Sequence, residues 1–92
     1  MASARAHVFV SGRVQGVFYR SNARTQARLR GLAGFVRNLS DGKVEAVFEG
    51  EESVVKDMLK WCRQGPEYAN VENVELSWEK PTGEFKSFEV RY

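Results

Sequence analysis

The chain has little with which to build a metal centre. Its 92 residues include one cysteine, Cys62, and one histidine, His7. A single cysteine excludes an intramolecular disulfide and a thiolate cluster for zinc or iron, and suits a reducing, cytoplasmic setting. Also missing is any apolar run of the roughly 18 residues that a membrane span requires. The start, Met1 to His7, has no apolar core of signal-peptide length. No repeat, low-complexity tract or linker interrupts the chain, so residues 1–92 read as one domain near the small end of what folds without staples.

Acidic residues are scarce in the first half. Eight basic residues (Arg5, Arg13, Arg20, Arg24, Arg28, Arg30, Arg37 and Lys43) against Asp41 and Glu45 leave residues 1–46 at +6. With +2 for the whole chain, the remainder sits at −4. Such a field draws either a small anion or a nucleic acid backbone, and composition does not choose between them.

Periodicity orders the elements. Ala6 to Ser11 alternates as a strand, with Val8 and Val10 toward the core and His7 on the opposite, partly exposed face. Arg20 to Leu32 reads as a helix, with Ala23, Ala27 and Gly31 as a small-residue stripe and Arg24, Arg28 and Arg30 on a solvated face. Gly34 to Leu39 and Lys43 to Glu49 form a hairpin around a two-residue Asp41-Gly42 turn. Glu51 to Arg63 is a second amphipathic helix, with Cys62 on its apolar stripe. Strands follow at Val71 to Trp78 and Phe85 to Tyr92. This order, βαββαβ plus a short C-terminal strand, is packed most economically as an α+β ferredoxin-like sandwich: an antiparallel-type sheet with two helices on one face.

The chemistry concentrates in Gly12-Arg-Val-Gln-Gly-Val-Phe-Tyr-Arg20, between the first strand and the first helix. Two glycines permit a tight path that turns successive N–H groups toward one point. The start of the helix adds its free N–H groups and positive dipole end, and Arg20 adds a fork of donors. A phosphate-sized dianion suits such a cradle. The lysine and hydroxyl residue that a nucleotide P-loop places after its glycines are missing, so ATP or GTP is unsupported. Asn38, near the hairpin, serves on pattern alone either to satisfy backbone groups or to act in a site.

Taken together, Gly12 to Arg20, the segment Gly34-Phe-Val-Arg-Asn-Leu-Ser-Asp-Gly-Lys-Val44, and Gly50 resemble the acylphosphatase family over essentially the full length. The resemblance implies a ferredoxin-like fold, hydrolysis of carboxylic-phosphoric mixed anhydrides, and no metal or cofactor. It implies that Arg20 and the backbone N–H groups of Gln15, Gly16, Val17, Phe18 and Tyr19 bind the phosphoryl oxygens, and that Asn38 holds the attacking water. Inorganic phosphate is then both product and competitive inhibitor. The family usually has Phe, sometimes Met, before the motif arginine; Tyr19 adds a hydroxyl there without removing a donor. The length resembles the free-standing form, and the lack of a surplus apolar helix makes a monomer the default.

Two other readings compete. A small RNA-binding module shares this fold and tolerates a basic half, but the third strand would present Glu45, Val47 and Glu49 on the exposed face, where acids repel a phosphate backbone. No nucleic-acid or membrane partner is therefore expected. A catalytically silent domain sensing an anionic metabolite would use the same cradle. Neither motif defines the acyl side of a substrate.

Overall fold

The computed structural model describes residues 2–92. The elements are β1 (Ser3–Arg13), α1 (Tyr19–Leu29), β2 (Ala33–Asn38), β3 (Val44–Glu51), α2 (Glu52–Gln64), β4 (Asn70–Glu79) and β5 (Phe88–Arg91). The strands form one sheet in the order β4-β1-β3-β2-β5, antiparallel except where β5 runs parallel to β2. Both helices pack on one face, giving the expected ferredoxin-like sandwich with β5 as the added strand. One core unites Ala6, Val8 and Val10 of β1 with Ala23 and Ala27 of α1 and Val55, Met58, Leu59 and Cys62 of α2. Phe48 and Phe88 stack within it, their centroids 5.2 Å apart.

Several boundaries depart from the sequence pattern, each for a visible reason. β1 extends to both sides of Ala6 to Ser11 because β3 pairs with it from Ser3 and β4 as far as Arg13. Gly12 sits at a bulge in this strand with φ 117°, where a Cβ would run into the Asn70 carbonyl oxygen. Its freedom therefore serves the β1–β4 contact and not the cradle. α1 stops at Leu29, not Leu32. The Gly31 N–H donates to Arg28 O and the Leu32 N–H to Ala27 O, both at 3.0 Å, so Gly31, which with Gly34 punctuates the helix exit in the sequence, caps it. The hairpin loop has three residues, Ser40 to Gly42, since Leu39 N donates to Lys43 O at 2.8 Å and Gly42 N to Leu39 O at 3.2 Å.

The largest departure concerns the face of the sheet without helices. Glu45, Val47 and Glu49 are not exposed: all three are buried. Residues 80–87, expected in part to be strand, cross this face instead, and only Phe88–Arg91 pairs as β5. The backbone N–H groups of Thr82 and Gly83 each donate to Glu49 at 2.9 Å, and Phe85 packs near Phe35 at a centroid distance of 6.0 Å. Glu45 is held between Arg37 and His7. The acids on this face are thus paired and partly covered, not presented to solvent as the sequence pattern suggests.

His7 lies partly buried, Nε2 2.7 Å from Glu45 and Nδ1 2.8 Å from Glu79, and so ties β1 to both neighbouring strands. Burial opposes its charged form, but the hydrogen bonds to Glu79 and Glu45 outweigh that and raise its pKa. The carboxyl of Glu79, bonded to His7 and Arg5, is lowered. Glu45 is lowered as well, its burial being outweighed by His7 and Arg37. Among the described residues no helix is long and apolar enough to cross a membrane.

Candidate active site

The loop between β1 and α1 is pinned by buried apolar side chains, Val14 and Val17 within it and Tyr19 at the start of α1, while Gly16 and Phe18 are exposed. Two residues take the left-handed conformation, Gly16 with φ 73° and Phe18 with φ 64°. Glycine accepts this freely, whereas Phe18 does so under strain that its surroundings must hold. The Phe18 carbonyl is the anchor, accepting from Asn22 Nδ2 at 2.8 Å, Asn22 N at 3.1 Å and Ser21 Oγ at 3.2 Å.

Because Phe18 caps α1 with no side-chain hydrogen bond, the first-turn N–H groups have no capping partner. Residues of that turn, Tyr19, Arg20 and Ser21, line a cleft of about 320 Å³ together with Val14, Gly16, Phe18, Arg24, Asn38, Val90 and Tyr92. Its charged side chains are two arginines, with no carboxylate side chain and no histidine. The dipole end of α1 and the two guanidinium groups make it a cleft for an anion.

Gln15 contributes differently. Its Nε2 donates to Leu39 O at 2.7 Å and to Lys43 O at 2.9 Å, bolting the loop to the hairpin one residue beyond Asn38. That bolt sets the spacing between the loop and the end of β2. Asn38 Oδ1 is buried and has no hydrogen-bond partner. Buried amide oxygens are seldom left without a donor, so this one is placed to accept from a group outside the protein, water included.

Of the residues singled out in the sequence, Gly16, Phe18, Tyr19, Arg20 and Asn38 come together in the cleft. The side chains of Gln15 and Val17 do not line it: Gln15 braces the hairpin and Val17 is core. The hydroxyl of Tyr19 points away, donating to Cys62 O of α2 at 2.9 Å, with its ring 5.3 Å from that of Trp61. Burial and this hydrogen bond push its ionisation up. Cys62 is fully buried, which pushes its thiol up to about 12 and makes it no nucleophile. No group of three or more His, Cys, Asp or Glu among the described residues is arranged to hold a metal ion.

Sequence reasoning missed Val14, Ser21, Arg24, Val90 and Tyr92 as cleft residues. Arg24 could have been found from its position one helical turn after Arg20. Val90 and Tyr92 arrive only through the parallel pairing of β5 with β2, which no local motif announces. Tyr92 lies with its ring 5.0 Å from the Arg20 guanidinium carbon, a cation–π contact at the mouth of the site.

Known proteins resemble the chain in both sequence and fold. The acylphosphatase family pattern matches residues 6–90. An acylphosphatase of Roseiflexus sp. (strain RS-1) is 60% identical over 90 residues, covering 98% of this chain and 97% of the relative. The crystal structure of acylphosphatase from Bacillus subtilis superposes with a TM-score of 0.93 at 29% identity, covering 97% of this chain and 99% of that one. The structure of an acylphosphatase from Coxiella burnetii gives 0.92 at 39% identity, covering 97% and 93%. On the family match and on identity across nearly the whole length, the chain belongs to the acylphosphatase family.

Proposed function

We propose that the chain hydrolyses acyl phosphates to a carboxylate and inorganic phosphate, with Arg20 and the loop from Gln15 to Tyr19 holding the phosphoryl group and Asn38 orienting the attacking water. One observation carries this reading. A single cleft joins Arg20, an uncapped helix start and an asparagine whose buried Oδ1 has no protein partner.

The chemistry asks little of the protein. The water oxygen forms a bond to phosphorus as the bond from phosphorus to the acyl oxygen breaks, and the electron pair leaves with the carboxylate. A carboxylate is a good leaving group, so positioning and charge stabilisation suffice without strong general-acid help. The transferring phosphoryl spreads charge over three equatorial oxygens, which the Arg20 fork and convergent N–H groups complement. Asn38 accepts a hydrogen bond from the water and aims it, but takes no proton at neutral pH. With no basic side chain of the right kind in the cleft, both water protons end on inorganic phosphate, directly or through solvent.

Inorganic phosphate competes for the same loop. The cradle and Arg20 supply the charge stabilisation that Mg²⁺ gives other phosphoryl-transfer enzymes, so activity persists in EDTA. The enzyme acts as a monomer in the cytoplasm, a setting that suits a chain with a single, buried cysteine. Benzoyl phosphate hydrolysis in EDTA tests the reading, with the wild type active and both Arg20→Ala and Asn38→Ala deeply impaired. An inactive wild type, or a fully active Arg20→Ala, contradicts it.

A further inference from the structure

The phosphoryl group leaves part of the cleft unaccounted for, and a charged residue stands there. Arg24 lies one turn along α1 from Arg20, on the same helix face, and lines the same cleft. The sequence alone places it with Arg28 and Arg30 on a solvated face, but the structure separates the three. Arg28 Nε donates to Phe88 O at 2.9 Å, and Arg30 Nε pairs with Asp57 at 2.8 Å. Arg24 is half-buried and forms no side-chain hydrogen bond or ion pair among the described residues. Arg20 likewise has no acidic partner, so two like charges sit one turn apart in one cleft, an arrangement that costs stability until an anion joins them.

We infer that Arg24 is a specificity-determining residue that recognises a second anionic group on the acyl side of the substrate. This rests on the acyl phosphate reading above and names the substrate class: acyl phosphates whose carboxylic part carries a further carboxylate or phosphate. With the transferring phosphoryl held by Arg20 and the loop, Arg24 offers a second guanidinium fork about one helical turn away. Val90 and Tyr92 line the same cleft, the Tyr92 ring against the Arg20 guanidinium, and supply apolar wall for the carbons that link the two anionic groups. A neutral acyl chain would leave the guanidinium of Arg24 answered by water alone.

The test uses the full chain and a matched pair of substrates, benzoyl phosphate and 3-carboxybenzoyl phosphate, whose rigid ring keeps the extra carboxylate from attacking its own anhydride. The wild type should show kcat/KM about tenfold higher for the carboxylated substrate, the scale of one charge-assisted hydrogen bond at a partly exposed site. In Arg24→Gln that ratio should fall to near one, chiefly through KM, and Arg24→Lys should retain part of it. Added salt should erode the wild-type preference. Equal rates on both substrates in the wild type, or an unchanged ratio in Arg24→Gln, overturn the assignment of Arg24 while leaving the hydrolytic reading intact. Hydrolysis of neither substrate overturns both.

Discussion

Asn38→Ala separates catalysis from stability. If Asn38 acts on the attacking water, and its Oδ1 bonds no protein group, its removal should cost activity and cost the fold little. Loss of one preorganised contact in a transition state typically lowers kcat about 100-fold, or roughly 2.7 kcal/mol. The stability change is expected to be small, because alanine removes only the few packing contacts of a half-buried side chain, about 0.5 kcal/mol. For a domain of this size 1 kcal/mol shifts Tm by about 4–8 °C, so Tm should fall by no more than about 4 °C. The assays are steady-state hydrolysis of benzoyl phosphate, competitive inhibition by inorganic phosphate and a melting scan. Unchanged phosphate inhibition with a hundredfold lower kcat and a Tm lowered by no more than about 4 °C is the expected set. A fall in Tm beyond about 5 °C, with phosphate affinity and rate lost in parallel, would refute the reasoning and make Asn38 a structural or binding residue.

Other perturbations have distinct signatures. Arg20→Ala should weaken inhibition by inorganic phosphate at least tenfold, since a charged donor contributes about 1.5–3 kcal/mol; undiminished inhibition would separate Arg20 from the phosphoryl group. Tyr19→Phe removes the hydrogen bond to Cys62 O and should lower Tm by about 4–8 °C, whereas an unchanged melting curve would deny that bond any net contribution. The clasp of His7 between Glu45 and Glu79 makes stability depend on pH in two directions. His7 is raised above its ordinary 6.5, so its contribution is complete below that value and is lost as pH rises through the higher folded-state pKa. Glu45 and Glu79 are lowered from 4.5, so theirs is present above that value and is lost as pH falls through the lower folded-state pKa. Chemical denaturation of the wild type should therefore show a larger advantage over His7→Gln near pH 5.5 than near pH 8.5, and equal differences at both values would contradict the clasp.

What the sequence made legible was local. Alternation in β1 and the apolar stripe of α2 follow directly from residue spacing, and both lie where one face is core and the other is not. That Gly16 and Arg20 share a cleft follows from the adjoining loop and helix start, and Asn38 joins them there from the second motif. Features made by distant segments were not. Phe18 adopts a left-handed conformation that no glycine signals, held by the first turn of α1. Glu49 is met by a polar, irregular segment crossing the sheet, whose Thr82 and Gly83 N–H groups find their carboxylate more than 30 residues away, while Glu45 is held by His7 and Arg37. The Tyr19 hydroxyl could be settled only by the α1–α2 contact, where it meets a main-chain carbonyl. Its ring thus keeps the anchoring role of the usual Phe, and the hydroxyl adds a tie to α2.

Water labelled with ¹⁸O tests the central claim most directly, because the account makes phosphorus, held by Arg20 and the loop, the atom under attack. Hydrolysis of benzoyl phosphate by the wild type in such water should place the label in inorganic phosphate and leave the benzoate unlabelled. Label in the benzoate would mean attack at the carbonyl carbon and would contradict the roles given to Arg20, the loop and Asn38 together.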